Sequence, residues 1–419
     1  MKPLRVIISG GGIGGLSLAL SLHQAGISVC VYEAVRDPLP LGVGMNLQPT
    51  AVRELTELGL GDAVASAGIA TQRLNLCNRF GQLIYGEPRG LAAGYRWPQI
   101  SIHRGELQLI LLRATRERIG EGNVRAGTRL VGFDQSGSRV RARFSDRESG
   151  SEMFEEADIL VGADGIHSVA RHQLYPDEGG PRFARQILWR AAVKAEPFLD
   201  GQTMVIAGHY HQRIIVYPIA RAEGKLLTNW ICQMTVPDQA PPREDWNRRV
   251  ENQTVLEAFR GWRFPWLDLQ ALIEHSHNIY EFPLVDRDPV AGWSFDRVTL
   301  LGDAAHPMQP IGGQAGSQAI LDARSLTRAL AETSNPVAAL ASYDAERRPA
   351  MNDIILRNRN LGPEAAMRLA EERAPNGFAR VEDVISQDEL DVITKSFAAA
   401  AGLDVETVNN RPSYLSQIE

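Results

Sequence analysis

A glycine-rich turn near the start of the chain restricts the possible fold more than any other feature of the sequence. Gly10, Gly12 and Gly15 form a GxGxxG pattern. The apolar run Leu4–Ser9 precedes it, and a helical pattern over Leu16–Gln24 follows it. In such a unit the first glycine permits the tight turn, the second lets the backbone approach a pyrophosphate, and the third lets helix and strand pack closely. The sequence therefore predicts a nucleotide-binding strand–turn–helix unit.

An acidic residue completes this pattern. Ser28–Tyr32 is a second predicted strand, and Glu33 lies at its end. A carboxylate at this position accepts hydrogen bonds from ribose hydroxyls, while the first turn of the helix directs its N–H groups toward the phosphates. The pattern alone does not distinguish NAD from FAD.

Composition and charge exclude several other classes of protein. Hydrophobic residues make up 44% of the 419 residues and charged residues 22%, which is typical of a soluble globular protein. The formal net charge of −6 gives no general attraction to nucleic acid or to anionic membranes. Cys30, Cys77 and Cys232 are scattered without a CxxC spacing, so neither a disulfide framework nor a metal site is predicted.

The location of the protein is predicted from two further observations. The N-terminal apolar stretch is interrupted by the glycines of the turn, each of which would destabilise the helix of a signal peptide. No other segment has the roughly 20 apolar residues that a transmembrane helix needs. We therefore expect a cytoplasmic enzyme that binds neither nucleic acid nor membranes.

Two later segments each contain an apolar strand that ends in an acid beside a glycine. The first ends at Asp164-Gly165 and the second at Gly302-Asp303. Ligands bind at the carboxyl ends of parallel strands, so Asp303 is suitably placed to accept a hydrogen bond from a polyol hydroxyl.

A second glycine-rich turn, at 312–316, follows and opens a long predicted helix. Backbone N–H groups at a helix N-terminus favour an anion. This turn would suit the edge of a flavin that becomes negative on reduction.

The order and spacing of these segments resemble one enzyme family. The chain resembles the class A flavoprotein aromatic monooxygenases over residues 4 to about 360. That family carries the dinucleotide fingerprint, a mid-chain Asp-Gly strand end, and a late Gly-Asp followed by a glycine loop. Within the family the chain is most similar to members that hydroxylate phenazine carboxylates, and next to the salicylate hydroxylases.

The resemblance implies an α/β fold with a Rossmann-like FAD-binding domain of the glutathione-reductase type. A mostly antiparallel β-sheet substrate domain is expected as an insertion, because short β-like runs replace the strand–helix alternation there. We expect residues 1–71, 101–182 and 286–360 to form the FAD-binding domain and residues 72–100 and 183–285 the substrate domain. Residues 361–419 are expected to form a helical tail that packs on the body or at a homodimer contact.

The resemblance also implies FAD as the cofactor and NADH or NADPH as a transient reductant. The residues expected to contact the cofactor are Gly10, Gly12, Ile13, Gly14, Gly15, Glu33, Ala34, Gly44, Met45, Arg104, Leu130, Asp164, Gly302, Asp303, Pro310, Gly312, Gly313, Gln314, Ala315 and Gly316. One departure affects the glycine loop. The family has Gly-Gln-Gly-Ala-Asn where this chain has Gly313-Gln314-Ala315-Gly316-Ser317.

The substrate is expected to contact residues of the inserted sheet and of the glycine loop. The candidates are Trp189, Arg190, Met204, Tyr217, Trp230 and Pro310. Each sheet residue is either a substrate contact or a core residue. Arg190 either binds an acidic substrate through its guanidinium fork or forms a structural ion pair. His306 is interpreted as structural.

The resemblance implies hydroxylation of an acidic aromatic or heteroaromatic molecule, phenazine- or salicylate-like, through a flavin C4a-hydroperoxide, with or without decarboxylation. No catalytic side chain is expected, because the flavin carries the chemistry. An FAD-dependent epoxidase or oxidase that acts on a non-aromatic or polyketide-like substrate is the alternative. A nicotinamide-only dehydrogenase would not explain Gly302-Asp303.

Overall fold

The computed structural model describes residues 4–37, 43–237, 248–359, 365–400 and 404–415. Its strands, in chain order, are β1 (Arg5–Ser9), β2 (Ser28–Glu33), β3 (Gly44–Leu47), β4 (Ile69–Thr71), β5 (Arg73–Cys77), β6 (Leu83–Pro88), β7 (Gln99–His103), β8 (Val124–Ala126), β9 (Thr128–Ser136), β10 (Arg139–Asp146), β11 (Glu152–Ala157), β12 (Ile159–Gly162), β13 (Arg182–Ala195), β14 (Thr203–His209), β15 (Gln212–Ala222), β16 (Lys225–Thr235), β17 (Arg249–Val250), β18 (Ile279–Asp286), β19 (Ser294–Phe295) and β20 (Val298–Leu300). Its helices are α1 (Ile13–Gln24), α2 (Pro49–Glu57), α3 (Gly61–Ala67), α4 (Arg104–Ile119), α5 (Val169–Leu174), α6 (Asn252–Ala258), α7 (Leu269–Glu274), α8 (Ala315–Glu332), α9 (Pro336–Asn358), α10 (Ala365–Arg373), α11 (Gln387–Ala400) and α12 (Val405–Asn410).

A mostly parallel sheet contains the strands that the nucleotide-binding pattern predicts. Its order is β19-β20-β12-β1-β2-β8, and only the short β19 is antiparallel to its neighbour. The central strand β1 pairs with β2 on one side and with β12 on the other. Val6, Ile7 and Ile8 have no solvent exposure, as expected for a parallel strand that is covered on both faces. The strand ends that precede the glycine turns therefore meet at one edge.

A second sheet, larger and mostly antiparallel, is built from residues between 73 and 286. Its order is β17-β18-β13-β16-β15-β14-β5-β6, and only β14 and β5 are parallel to each other. Strands β13 to β16 correspond to the short β-like runs that the sequence predicts in the insertion. Side chains from α6 and α7 cover one of its faces. The other face turns toward the parallel sheet.

Smaller elements connect these two sheets. The antiparallel sheet β3-β7-β4 packs against β15, and the sheet β11-β10-β9 packs beside β2. After α9, the helices α10, α11 and α12 form the tail that the sequence predicts as helical. Within the described ranges, no helix has both the length and the apolar character of a membrane span.

Candidate active site

Three turns meet at the end of the parallel sheet, and glycines allow their close approach. A Cβ atom on Gly10 (φ +115°) would lie 2.2 Å from the carbonyl oxygen of Ala163, in the turn after β12. A Cβ on Gly14 would lie 2.7 Å from Leu301, in the turn after β20. A Cβ on Gly15 would lie 2.0 Å from the carbonyl oxygen of Gly10. The first turn is therefore enclosed by the other two.

Glu33 lies beside the first turn at the end of β2. Its Oε2 accepts a hydrogen bond from the Gly11 N–H at 2.6 Å, and its Oε1 accepts one from the Val35 N–H at 2.7 Å. The Nε2 of Gln108 donates to the Gly11 carbonyl oxygen at 2.9 Å. Glu33 and Gln108 thus hold the glycine turn from two sides, and only Glu33 was predicted as a site residue.

Asp164 ends the second turn and has one unused acceptor. Its Oδ2 accepts from the Val169 N–H at 2.9 Å, whereas its buried Oδ1 has no hydrogen-bond partner within the described part of the chain. Burial raises the pKa of this carboxyl group, although hydrogen bonds from Ser168 and Val169 oppose the shift. The side chain of Asp164 does not line the cavity described below, but its neighbours Ala163 and Gly165 do.

The third turn, at Gly302-Asp303, is supported from behind by a buried charged cluster. Asp322, on α8, accepts from the Gly302 N–H at 3.2 Å, from His306 Nε2 at 2.5 Å and from Arg347 Nε at 2.8 Å. Burial alone would raise the pKa of Asp322, but His306 and Arg347 hold it below its ordinary value. Asp303 itself is exposed toward the cavity. The structural role expected for His306 agrees with this position.

The glycine loop 310–316 closes the opposite side of the site. Gly312 and Gly313 have φ values of +68° and +62°, which side chains rarely adopt. The carbonyl oxygen of Gly312 accepts from Gln48 Nε2 at 3.1 Å. Ser317, where the family has asparagine, accepts from the Gln48 N–H at 3.0 Å. The loop is thereby fastened to the segment after β3, and α8 begins with its N-terminus at the cavity.

A cavity of about 380 Å³ lies between these turns and the large sheet. The predicted site residues that line it are Gly12, Ile13, Gly14, Gly44, Met45, Arg104, Arg190, Met204, Tyr217, Gly302, Asp303, Pro310, Gly312, Gly313, Gln314, Ala315 and Gly316. The predicted site residues outside its lining are Gly10, Gly15, Glu33, Ala34, Leu130, Asp164, Trp189 and Trp230. Leu130 is a buried residue of the core around the parallel sheet.

The positions of Trp189 and Trp230 correct their assignment as substrate contacts. Both side chains pack with α6 and α7 on the far face of the large sheet. Their Nε1 atoms donate to Glu281 at 2.9 Å and to Ser276 at 3.0 Å. Because successive residues of a strand point to opposite faces, the neighbour Arg190 faces the cavity and Trp189 does not.

Arg190 is a partly buried cation that lines this cavity. Its Nη2 donates to the Gly44 carbonyl oxygen at 3.1 Å, it also hydrogen-bonds Tyr217, and its Nε has no hydrogen-bond partner among the described residues. Within the described ranges no carboxylate forms an ion pair with it. Burial lowers the pKa of the guanidinium, and the nearby Arg104 lowers it further. Burial also raises the pKa of Tyr217 to about 12, so that its phenol is neutral.

Several polar residues of the lining were not predicted. Gln48, Gln99, Arg213 and Gln233 all line the cavity and are nearly inaccessible to solvent. The Nε of Arg213 donates to Gln233 Oε1 at 3.2 Å. Strand alternation was the available signal, since Arg213 lies on the same face of β15 as Tyr217.

The arrangement of the site fits FAD. A Cβ on Gly12 would meet no atom of the described residues within 4 Å, so this backbone faces open space. The first N–H groups of a helix have no acceptors within the helix, and α1 and α8 both begin at the same cavity. The exposed Asp303 lines the cavity and provides an acceptor for hydroxyl groups there.

Comparison with known proteins gives a consistent result. Residues 3–358 match the model of a family described as FAD binding domain. Phenazine 1,6-dicarboxylic acid hydroxylase PhzS of Lysobacter antibioticus is 44% identical over 362 residues, which cover 85% of this chain and 89% of that protein. Salicylate hydroxylase of Pseudomonas putida is 30% identical over 378 residues, which cover 83% and 82% of the two chains.

Solved structures show the same fold. The crystal structure of Klebsiella pneumoniae HpxO complexed with FAD and uric acid matches with a TM-score of 0.76 and 25% identity. The match covers 97% of this chain and 96% of that one.

Proposed function

We propose, on the premise that this chain belongs to the FAD binding domain family and is an FAD-dependent aromatic hydroxylase, that its substrate is an aromatic carboxylic acid. The predictions of family, fold class, enzyme class and cofactor are confirmed by the family match, the hydroxylase relatives and the FAD-containing structural neighbour. The cytoplasmic location, the lack of nucleic-acid and membrane binding, the homodimer and the division into domains stay predictions.

The residues that would hold FAD follow from the geometry of the turns. The N–H groups at Gly12, Ile13 and Gly14 would face the pyrophosphate, and Asp303 would accept from a hydroxyl of the ribityl chain. The loop 312–316 would place N–H donors beside the isoalloxazine. When bound, FAD accepts hydride from NAD(P)H and activates dioxygen for transfer of one oxygen atom to the aromatic ring.

The protein's own contribution to the reaction is to position the ring and to exclude water. Apolar side chains form the floor of the cavity on the large sheet: Leu74, Leu76, Leu188, Ile206, Ile215 and Ile231. A dry, flat surface of this kind favours an aromatic ring over a hydrated substrate. Arg190 donates to the carbonyl oxygen of Gly44, and the ring of Tyr217 packs beside Gly44, which lies in the segment expected to pass beside the flavin.

The single observation that carries the proposal is the environment of Arg190. A partly buried cation without a paired carboxylate is less well solvated than in water, so an anionic ligand would stabilise it. The guanidinium fork suits a carboxylate, which it binds through two N–H groups. The phenazine dicarboxylate relative has a name that states an acidic aromatic substrate, which supports the same conclusion.

The proposal is tested with the FAD-loaded enzyme and matched pairs of aromatic acids and their uncharged amides, such as salicylate and salicylamide. Binding is measured from the change in flavin absorbance, without NAD(P)H. We expect Arg190→Ala to raise the Kd of the acid about 10- to 100-fold, the loss typical of a hydrogen bond to a charged group, and to leave the Kd of the amide within twofold. Arg221→Ala, an exposed arginine on β15, is the matched control.

Equal Kd values for the acid in Arg190→Ala and the parent enzyme would remove Arg190 as the recognition residue. Turnover is followed separately as NAD(P)H consumed and product mass. A mass gain of one oxygen on an aromatic ring supports hydroxylation, whereas epoxidation or dehydrogenation of a non-aromatic compound would favour the alternative enzyme class.

A further inference from the structure

We infer that helix α10 of the C-terminal tail backs the far end of the cavity described above, the substrate chamber, through the lining side chains Ile206 and Leu76. This end wall limits the length of the aromatic acid that the enzyme accepts. This inference rests on the proposed function, because it takes Arg190 as the point at which the acid group is held. The tail therefore acts as a specificity-determining element for the reaction.

The floor of the chamber is a straight row of side chains that crosses five neighbouring strands. Arg190 pairs in register with Ile231, Ile231 with Ile215, Ile215 with Ile206, and Ile206 with Leu76. All five line the cavity. Neighbouring strands are about 4.8 Å apart, so the four spacings from Arg190 to Leu76 span about 19 Å.

Helix α10 stands on the end of this row that is opposite Arg190. Its residues Ala366, Met367 and Ala370 are at most 2% exposed and belong to one apolar cluster with Ile206 and Leu76. The same two side chains that line the cavity therefore also pack against the helix. A ligand that extends from Arg190 along the row reaches the side chains that α10 supports about three to four strand spacings away, or about 14–19 Å.

The tail is attached to the rest of the protein at two places. After α10, Phe378 exchanges two hydrogen bonds with Gln82, at 2.7 Å and 3.2 Å, beside the edge strand β6. Farther on, Asn409 of α12 exchanges two hydrogen bonds with the 94–96 segment, and Arg411 pairs with the buried Glu54 of α2. The Phe378–Gln82 pair holds the end of α10 close to the sheet, and the α12 contacts hold the last part of the tail.

Substitutions at Met367 and Ala370 should shift the lining side chains of the chamber in opposite directions. Met367→Ala removes a long side chain beside Ile206 and Leu76 and leaves room for the floor to recede. Ala370→Leu adds bulk at a position that is 1% exposed and pushes the same floor toward the ligand. Because both residues act through the lining side chains, they are positioning residues.

The experiment measures the Kd of aromatic carboxylic acids with one, two, three and four fused rings. The FAD-loaded full-length enzyme is used, and binding is read from flavin absorbance without turnover. We expect Met367→Ala to lower the Kd of the longest acids, and Ala370→Leu to raise it, by at least about tenfold. The Kd of the one-ring acid should stay within twofold in both variants.

Two control variants distinguish an effect of the wall on ligand length from a general loss of stability. Leu272→Ala removes a similarly buried side chain of α7, which packs on the opposite face of the same sheet, and Met367→Leu preserves the volume at the wall. Both variants should keep the ratio of Kd values between long and short acids that the parent enzyme shows. If Ala370→Leu does not fold, Met367→Ala alone decides the question.

An unchanged ratio of Kd values between long and short acids in Met367→Ala would overturn the inference, and so would the same ratio change in Leu272→Ala. Failure of the parent enzyme to bind any of the acids would instead overturn the proposed function, and the wall with it. A length-dependent change in the wall variants alone supports the inference.

Discussion

The charged cluster behind Gly302 gives the sharpest prediction of a mutational effect. Asp322→Asn keeps the size of the side chain but removes its negative charge. The buried Arg347, whose Nε lies 2.8 Å from Asp322 Oδ1, would then lose its partner. The acceptor for the Gly302 N–H and for His306 Nε2 would become an amide.

The magnitude follows from the burial of the pair. Asp322 has no exposed side-chain surface and Arg347 is 10% exposed at its side chain, so solvent does not screen the charge that remains. Removal of one partner from a buried ion pair costs about 3–5 kcal/mol of unfolding free energy. FAD affinity should fall as well, because the cluster positions the turn that carries Asp303.

The assay is urea unfolding of the FAD-free enzyme, followed by FAD titration of the folded variant. Bound FAD adds stability by mass action, so the FAD-free measurement isolates the cluster. Glu346→Gln, which affects a half-exposed pair with Arg328, is the control and should change the free energy by less than about 1 kcal/mol. A loss below about 1 kcal/mol in Asp322→Asn would refute the reasoning.

Three further predictions concern the same region. Because the pKa of Asp322 is lowered in the folded state, its negative charge stabilises the fold at pH values above the ordinary pKa of 3.8, and this contribution is lost as the pH falls through the folded-state pKa. The free energies of unfolding of wild type and Asp322→Asn, measured with urea at pH 3 to 7, should therefore converge at the acid end. Gly15→Ala should purify without FAD, because its Cβ would lie 2.0 Å from the Gly10 carbonyl oxygen; a wild-type ratio of flavin to protein absorbance would contradict this. Asp303→Ala should fold normally, since Asp303 is exposed, but should raise the Kd for FAD at least about tenfold in a fluorescence titration; an unchanged Kd would reject its role.

The cofactor side of the site was largely predictable because its signals are local. Glycine is required at position 10 by its positive φ and at position 15 by the close approach of the Gly10 carbonyl oxygen, and the strands on either side follow from short apolar runs. The approach of the Gly302-Asp303 turn could be expected from the rule that parallel strands end at one edge. The acid that supports this turn, Asp322, lies within a helix, where no local pattern marks it.

The substrate side was predicted less well because it depends on which face of a sheet is covered. Trp189 and Arg190 are neighbours on β13, so strand alternation allows only one of them to face the cavity. Which one does so is decided by α6 and α7, whose docking is a long-range contact. The packing of α10 on the floor of the chamber is equally remote in sequence from the strands that it contacts.

Alternate positions of each strand in the large sheet serve two different roles, because they point to opposite faces. Odd-numbered and even-numbered positions of β13 and β16 belong to different layers, one that holds the fold together and one that meets the ligand. A mutant library that varies only the cavity-facing residues of these strands can thus change ligand preference, while the tryptophan-rich layer on the other face keeps its packing. One face of the sheet can therefore change while the other face maintains the fold.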